Sequence, residues 1–538
     1  MVCLIAVTSQ SAHALGGPTG VAQRPWYAYE TEHFVVYSDY PEAVAAKRIQ
    51  DLELFRAFVH DAMGLAGVEG QAAATPRLEV YLFSRRAHMI RIFNSTDVYG
   101  FMRPGLDRSL MVIAPVYGSA SPNDVAFHEY VHYLLRNVGH THLPPWYEEG
   151  LAEFFAMTQI RDNVLVIGNV NKLRVRQLRD AHGLAVEEVM TAGYPLNLDL
   201  PRGSGIGQTN LSVWGGHVHA AGLPRLMTQA DFYSQSWSLM HMLLLGHRSG
   251  HERRDFQLAD YVTDVAQGYG FDSAYSKNFS NDYKQLERDL KKYIAKLAHR
   301  YPRLELPIEA FDYDPRYRRV AVDEEAMLLR LGGLAAPLSP QTAGRLFQRV
   351  LRLNRNSTAA LTGLGMARRR AGRLQDALDI GARAAGVAES SAAQFEYADT
   401  LIEVCRSRRA LQRRRLQIAD DALDCARLRE TALEGYRRAL ALAPDNPRYL
   451  ATLGVTLLQA GRLREATTHL EQAHAHAPWS PALNLALGES LRRQGEFARA
   501  EPLLGRAAVW FFKSPGLQAQ ALDALALARG GDLRVPGG

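Results

Sequence analysis

The segment SPNDVAFHEYVHYLLRN, residues 121–137, sets His128 and His132 four positions apart with Glu129 next to the first. On an α-helix, positions i and i+4 share a face, so both imidazoles can reach one metal ion while the carboxylate sits one step round, beside the open coordination position. A metal held this way activates a bound water and polarises a carbonyl, and a carboxylate in that place serves as general base. Ser121 as N-cap, Pro122 at the first helical position and Asp124 in the first turn predict that a helix begins there.

A catalytic zinc with two imidazole ligands takes one more carboxylate from a second element and keeps a position for water. Beyond a loop with His140, His142 and Pro144-Pro145 comes WYEEGLAEFFA, an amphipathic helix from Trp146 that carries Glu148, Glu149 and Glu153. Glu149 is the expected third ligand, with the other two as competitors. Glu148 lies about 100° round the helix from it, so the neighbours cannot serve equally. Glu153, one turn on, is spaced to orient a ligating His from behind.

Several elements must position this pair of helices. HFVVYS at 33–38, RLEVYLF at 77–83 and SLMVIA at 109–114 are short and rich in Val, Ile, Leu and Tyr, and read as strands. Apolar residues at helical spacing predict a helix over 41–63 and others over 233–247 and 282–299, the last capped by Asn281. Residues 158–229 read mostly as loop with one hairpin or short helix. Residues 301–322, with three prolines and no helical period, read as an interdomain connection. An α+β domain follows from that order.

Past residue 323 the strongest signal is self-similarity. Gly454, Gly461 and Ala466 recur 34 positions on as Gly488, Gly495 and Ala500, and Pro444 and Pro447 recur as Pro478 and Pro481. The grid also catches Gly365, Gly372 and Ala377. Such a helix-turn-helix unit with small residues at the crossings resembles the tetratricopeptide (TPR) repeat, whose stacked pairs form a groove for a protein partner. An Arg-rich insertion near 406–427 interrupts it, flanked by Cys405 and Cys425, which are either a disulfide across its base or two separate thiols.

HExxH is the arrangement of zinc peptidases, and Trp146, Glu149, Gly150 and Ala152 match the W-x-x-E-G-x-A signature of gluzincin metallopeptidases, in which the Glu before Gly binds zinc. Seventeen positions separate His132 from Glu149, slightly fewer than in the aminopeptidase and thermolysin branches. Residues 25–300 resemble the peptidase MA-like group of the gluzincins, often found joined to TPR repeats. The likeness runs through HFVVYSD, RLEVYLF, MVIAP, HEYVH, WYEEGLAEFF and FYSQSWSLMHMLL.

The resemblance implies an α+β zincin-like domain followed by an all-α repeat solenoid. It implies Zn2+ held by His128, His132 and Glu149, Glu129 as general base, and a peptide or protein substrate. It further implies an oxyanion donor from a later helix, Tyr233 or, second, His241, and an extended peptide pairing along the edge strand 110–114. No Gly-rich segment precedes HExxH, which favours an endopeptidase over an aminopeptidase. The alternative is a catalytically inactive peptidase-like binding module or repeat scaffold.

Composition bounds these readings. The 538 residues are 47% hydrophobic and 22% charged, which excludes a disordered chain and allows more than one core. The net charge of +6 is a small excess for that length and does not argue for nucleic acid. No run of 18 apolar residues is present to span a bilayer. The N-terminal MVCLIAVTSQSAHA has a short apolar run and an Ala-x-Ala pattern without a basic start, which predicts a truncated signal peptide and an exported protein, periplasmic or extracellular; without that signal the expectation is cytoplasmic. The expected organisation is a leader at 1–24, a peptidase-like domain at 25–300, a linker at 301–322 and repeats over 323–532.

Overall fold

The computed structural model describes residues 17–63, 77–96, 100–103, 105–115, 123–137, 143–180, 185–191, 196–197, 212–213, 219–220, 229–267, 269–279, 282–297, 301–387, 389–413, 424–510 and 515–530. The chain begins with helix α1 (Pro18–Ala22), strands β1 (Trp26–Glu30) and β2 (Phe34–Ser38), and the long helix α2 (Glu42–Ala62). Strand β3 (Leu78–Leu82), helix α3 (Arg86–Phe93) and the pair β4 (Gly100–Arg103) and β5 (Leu110–Ile113) lead to helices α4 (Asp124–Asn137) and α5 (Pro145–Ala156). A hairpin, β6 (Gln159–Arg161) and β7 (Val164–Ile167), turns at Asp162 and Asn163 with φ of 50° and 59°, the left-handed pair that a two-residue type I′ loop requires. Then come α6 (Lys172–Asp180), α7 (Val186–Thr191), the short strands β8 (Leu196–Asn197), β9 (Ser212–Val213) and β10 (His219–Ala220), and helices α8 (Gln229–Leu245), α9 (Asp255–Ala266), α10 (Phe271–Asn278) and α11 (Tyr283–Leu297). Strands β11 (Leu304–Pro307) and β12 (Arg318–Val322) close the region.

The main sheet has the order β12-β1-β2-β3-β5-β4-β9. Its middle, β2-β3-β5, is parallel, and the flanking pairs are antiparallel. These three strands are the ones legible as continuous apolar runs, because a parallel centre is buried on both faces. Phe34, Val36, Leu78, Val80, Met111 and Ile113 point to the core shared with α2, α4, α5 and α8. Tyr37, Tyr81, Phe83, Leu110 and Val112 point the other way.

That second face is covered by the repeat array. Helices α12 (Glu324–Ala335), α13 (Pro340–Leu353) and α14 (Thr358–Arg370) contribute Met327, Leu331, Leu346, Phe347 and Leu364 to one core with the sheet. Then follow α15 (Leu374–Val387), α16 (Ser391–Arg413), α17 (Cys425–Leu442), α18 (Pro447–Gln459), α19 (Leu463–His476), α20 (Pro481–Arg493), α21 (Phe497–Trp510) and α22 (Pro515–Ala528). The small residues of the repeat sit where helices cross. A Cβ on Gly454 would lie 2.7 Å from Leu470 Cγ, and one on Gly488 would lie 2.8 Å from Leu504, so glycine and its leucine partner both recur at the same period. Among the described residues no helix is long and apolar enough to cross a membrane.

Several expectations need correction. Residues 301–322 are not a bare connection: β12 pairs antiparallel with β1 and β11 with β7, stitching the segment into the preceding domain. The expected leader at 1–24 is folded from residue 18 on, where Val21 and Ala22 are buried and the Trp26 indole donates to the Val21 carbonyl at 2.9 Å; residues 1–16, including the expected signal, lie outside the described residues. Strand 110–114 is no edge, since β5 is paired by β3 on one side and β4 on the other. The insertion lengthens α16 and α17, and residues 414–423 lie outside the described residues. No disulfide joins Cys405 and Cys425; the Cys405 thiol donates to the Cys425 carbonyl at 3.7 Å. Residues 158–229 hold the expected hairpin together with two helices, α6 and α7.

Candidate metal centre

Helix α4 lies inside the domain with apolar residues on most of its surface, as a fully enclosed helix must. Val125, Phe127, Tyr130, Val131 and Leu134 are buried, and Phe127 stacks on Phe55 of α2 with ring centroids 3.9 Å apart. His128, Glu129 and His132 are therefore carried into the core at 2%, 0% and 0% exposure. The helix begins at Asp124, with the Phe127 amide donating to the Asn123 carbonyl; the expected cap Ser121 and Pro122 lie outside the described residues, as do His140 and His142.

Helix α5 opens on Pro145 and crosses α8 with unusual closeness. A Cβ on Gly150 would lie 2.6 Å from the Ser236 carbonyl oxygen. Only glycine permits that approach, which presses the acidic side of α5 towards α4 and brings the first turns of α8 beside the same spot.

There the side chains converge. The Nε2 atoms of His128 and His132 are 3.1 Å apart, and Glu149 Oε2 stands 3.7 and 3.4 Å from them. These three buried residues form the one group of metal-binding type among the described residues. Tetrahedral zinc with ligand bonds of about 2.1 Å has ligand–ligand edges of about 3.4 Å. The triangle fits that size. Glu149 Oε2 is buried without a hydrogen bond, the condition of an acceptor aimed at a cation.

The two competing carboxylates stand behind the imidazoles. Glu148 Oε1 accepts from His132 Nδ1 at 3.1 Å, and Glu153 Oε1 is 3.8 Å from His128 Nδ1. The Glu148 carboxylate thus bonds His132 Nδ1 and that of Glu153 faces His128 Nδ1 at ion-pair distance, and both imidazoles present Nε2 to the shared point, the arrangement by which outer carboxylates orient metal-binding imidazoles. Burial opposes charge on His132, yet Glu149 and Glu148 together outweigh it and raise the imidazole to about 9.

Of the two later-helix candidates, the Tyr233 ring lies beside His128, while His241 is bonded elsewhere. The Tyr233 ring centroid is 6.4 Å from that of His128. His241 accepts from the Tyr293 hydroxyl at Nδ1, 2.6 Å, and donates from Nε2 to the Gly168 carbonyl, 2.9 Å. Both nitrogens are engaged and burial holds the imidazole down at about 4, so it is a neutral core residue. The sequence reading missed Arg174. It donates to Glu153 from 21 residues away, a pairing that no local spacing announces.

The TPR family model matches residues 457–522, and a model described as a protein of unknown function, DUF1570, matches residues 124–192, which hold α4 and α5. No curated protein matches the chain. Among solved structures, a thermophilic TPR protein of Thermus thermophilus is 22% identical over 37% of this chain and 98% of its own, with a TM-score of 0.30. YrrB, a TPR protein with an unusual peptide-binding site, is 16% identical over 37% of this chain and 90% of its own, with a TM-score of 0.27. MamA is 16% identical over 36% of this chain and 88% of its own, with a TM-score of 0.23. The C-terminal region is a TPR array, the architecture of a protein-interaction scaffold, and it follows a region of mixed α and β structure.

Proposed function

We propose that the chain is a zinc-dependent peptidase of gluzincin type, acting within peptide chains, whose repeats hold a protein partner or substrate. The observation that carries this is the meeting of His128 Nε2, His132 Nε2 and Glu149 Oε2 at one buried point. These three residues would hold the ion, and bound zinc lowers the pKa of a coordinated water and polarises a carbonyl. Glu129, on the next position of the same helix, takes the proton of the attacking water at its carboxylate and passes it to the leaving amine nitrogen. The Tyr233 hydroxyl donates to the oxyanion.

A second reading, an interaction scaffold whose metal centre performs no chemistry, is favoured by the comparisons, where the repeats find a family of known kind and residues 124–192 find one of unknown function. One experiment separates the two. Metal analysis of the purified chain is expected to give about one zinc per molecule, retained by Glu129→Gln and largely lost in His132→Ala. Peptide hydrolysis is expected in the wild type and absent from Glu129→Gln. A wild type that takes up no zinc after reconstitution removes the enzyme; one that holds zinc but cleaves no peptide in a mixed library leaves the scaffold.

A further inference from the structure

Behind the metal-ligating pair lies a charged strut that the proposed chemistry does not use. Arg174 on α6 is 8% exposed and Glu153 on α5 is 0% exposed. The guanidinium grips the carboxylate with two parallel bonds, Nε to Oε2 at 3.0 Å and Nη2 to Oε1 at 2.5 Å. Its remaining arm, Nη1, donates to Gln177 Oε1 at 3.2 Å, and that same oxygen accepts from the Ser234 hydroxyl at 2.7 Å. The Arg174 guanidinium carbon also lies 5.5 Å from the centre of the Tyr233 ring. One side chain thus holds the carboxylate behind His128, lies against the Tyr233 ring, and is linked to Ser234 of the same helix through Gln177.

We propose that Arg174 is a positioning residue of the metal centre, fixing His128 through Glu153 and bracing Tyr233 through α8. The inference rests on the metal-centre reading above. A buried carboxylate holds one orientation only while its partners fix it, and without Arg174 the Glu153 group loses both of the bonds that set its plane and turns away. That change displaces the carboxylate that faces His128 Nδ1. The planar fork also sets the plane of the carboxylate, which a point charge such as lysine cannot do. Because Gln177 and Ser234 tie the same guanidinium to α8, loss of the strut loosens two residues of the centre together.

The test uses the full chain and zinc itself, with the dissociation constant measured by competition against a chelator and the melting point of the metal-free protein recorded beside it. Arg174→Met is expected to weaken zinc by roughly 10- to 100-fold, the usual effect of removing an outer partner of a metal ligand. Arg174→Lys is expected to recover part of that loss. With Co2+ in place of zinc, the visible bands of Arg174→Met are expected to shift and weaken as the ligand geometry relaxes, a signature that a merely structural residue would leave unmoved. The neutral pair Arg174→Met with Glu153→Gln is expected to regain the melting point but not the zinc affinity, and it carries the test where Arg174→Met alone does not fold. Wild-type zinc affinity and cobalt bands in a folded Arg174→Met chain, or in the neutral pair, overturn the proposal alone. A wild type that binds no zinc overturns the metal-centre reading and this inference with it.

Discussion

Gly150→Ala sets two effects of opposite sign against each other. Gly150 lies inside α5 at an ordinary helical φ, so on helix propensity alone alanine stabilises by about 1 kcal/mol. Packing says the reverse. The added methyl would meet the Ser236 carbonyl oxygen at 2.6 Å, its carbon at 3.1 Å and Met240 Cβ at 3.3 Å, where ordinary contact begins at 3.4 Å. The nearest obstacle is backbone, which cannot rotate aside, so α5 and α8 must part by something on the order of 1 Å. Overpacking of that kind costs about 1–3 kcal/mol, enough to cancel the propensity gain and leave a net loss of up to about 2 kcal/mol. The function suffers more. Glu149 precedes Gly150 on the same helix, and a displacement of about 1 Å carries its Oε2 out of the triangle that it forms with the imidazoles, so zinc affinity falls by at least the roughly tenfold typical of a disturbed ligand shell. Melting of the metal-free chain and chelator competition on the folded protein read the two effects apart. A variant that melts higher than wild type and binds zinc as tightly would show that the helix crossing does not position Glu149.

Other outcomes follow from the same packing. Glu149→Ala is expected to abolish tight zinc binding, whereas Glu148→Ala, which strips His132 of its Nδ1 partner only, is expected to weaken it roughly 10- to 100-fold; chelator competition that ranked them the other way would exchange the roles given to these neighbours. His241 has a folded-state pKa near 4, below the ordinary value of 6.5, so the unfolded chain binds the extra proton in that window; its contribution to stability is complete above pH 6.5 and is lost as pH falls towards 4. Melting points of His241→Gln, a side chain that takes no proton, are expected to fall less steeply than those of wild type between these pH values, and parallel curves would contradict the assignment. A chain ending at residue 322 bares Tyr37, Tyr81, Phe83 and Val112 on the back of the sheet and is expected to aggregate; a soluble, well-folded product by size-exclusion chromatography would show the repeats dispensable.

The meeting of His128, His132 and Glu149 was legible because its geometry is local. His128 and His132 are one turn apart on one helix, and Glu149 lies in the second turn of the next, so spacing almost suffices. The repeats were legible for a related reason: each glycine and the leucine that packs on it recur together at the repeat's own period. The miss at 301–322 came from β12, Arg-Arg-Val-Ala-Val, an exposed edge strand with no buried stripe and prolines on its approach. Strand β4, only Gly100–Arg103, carries too few residues to display alternation, so nothing in the sequence opposed the edge position that the resemblance implied for β5. Arg174 was invisible because its role depends on how α6 lies against α5 and α8, which is settled by the packing of the whole domain.

The core shared between the sheet and α12–α14 bears on how a captured protein would be presented. Modules joined by a flexible linker act through effective concentration, and a bound partner then samples a sphere set by the length of the tether. Here the join is solid. The turn between β4 and β5 even lays Leu106 against the core of the later repeats, and β4 in turn packs Gly100 on Val125 of α4. A protein seated on the repeats would keep one bearing and one distance relative to α4. On the proposed peptidase reading, selection would then act like a ruler, favouring partners whose exposed segment lies at the right reach from the seat over those with merely the right side chains.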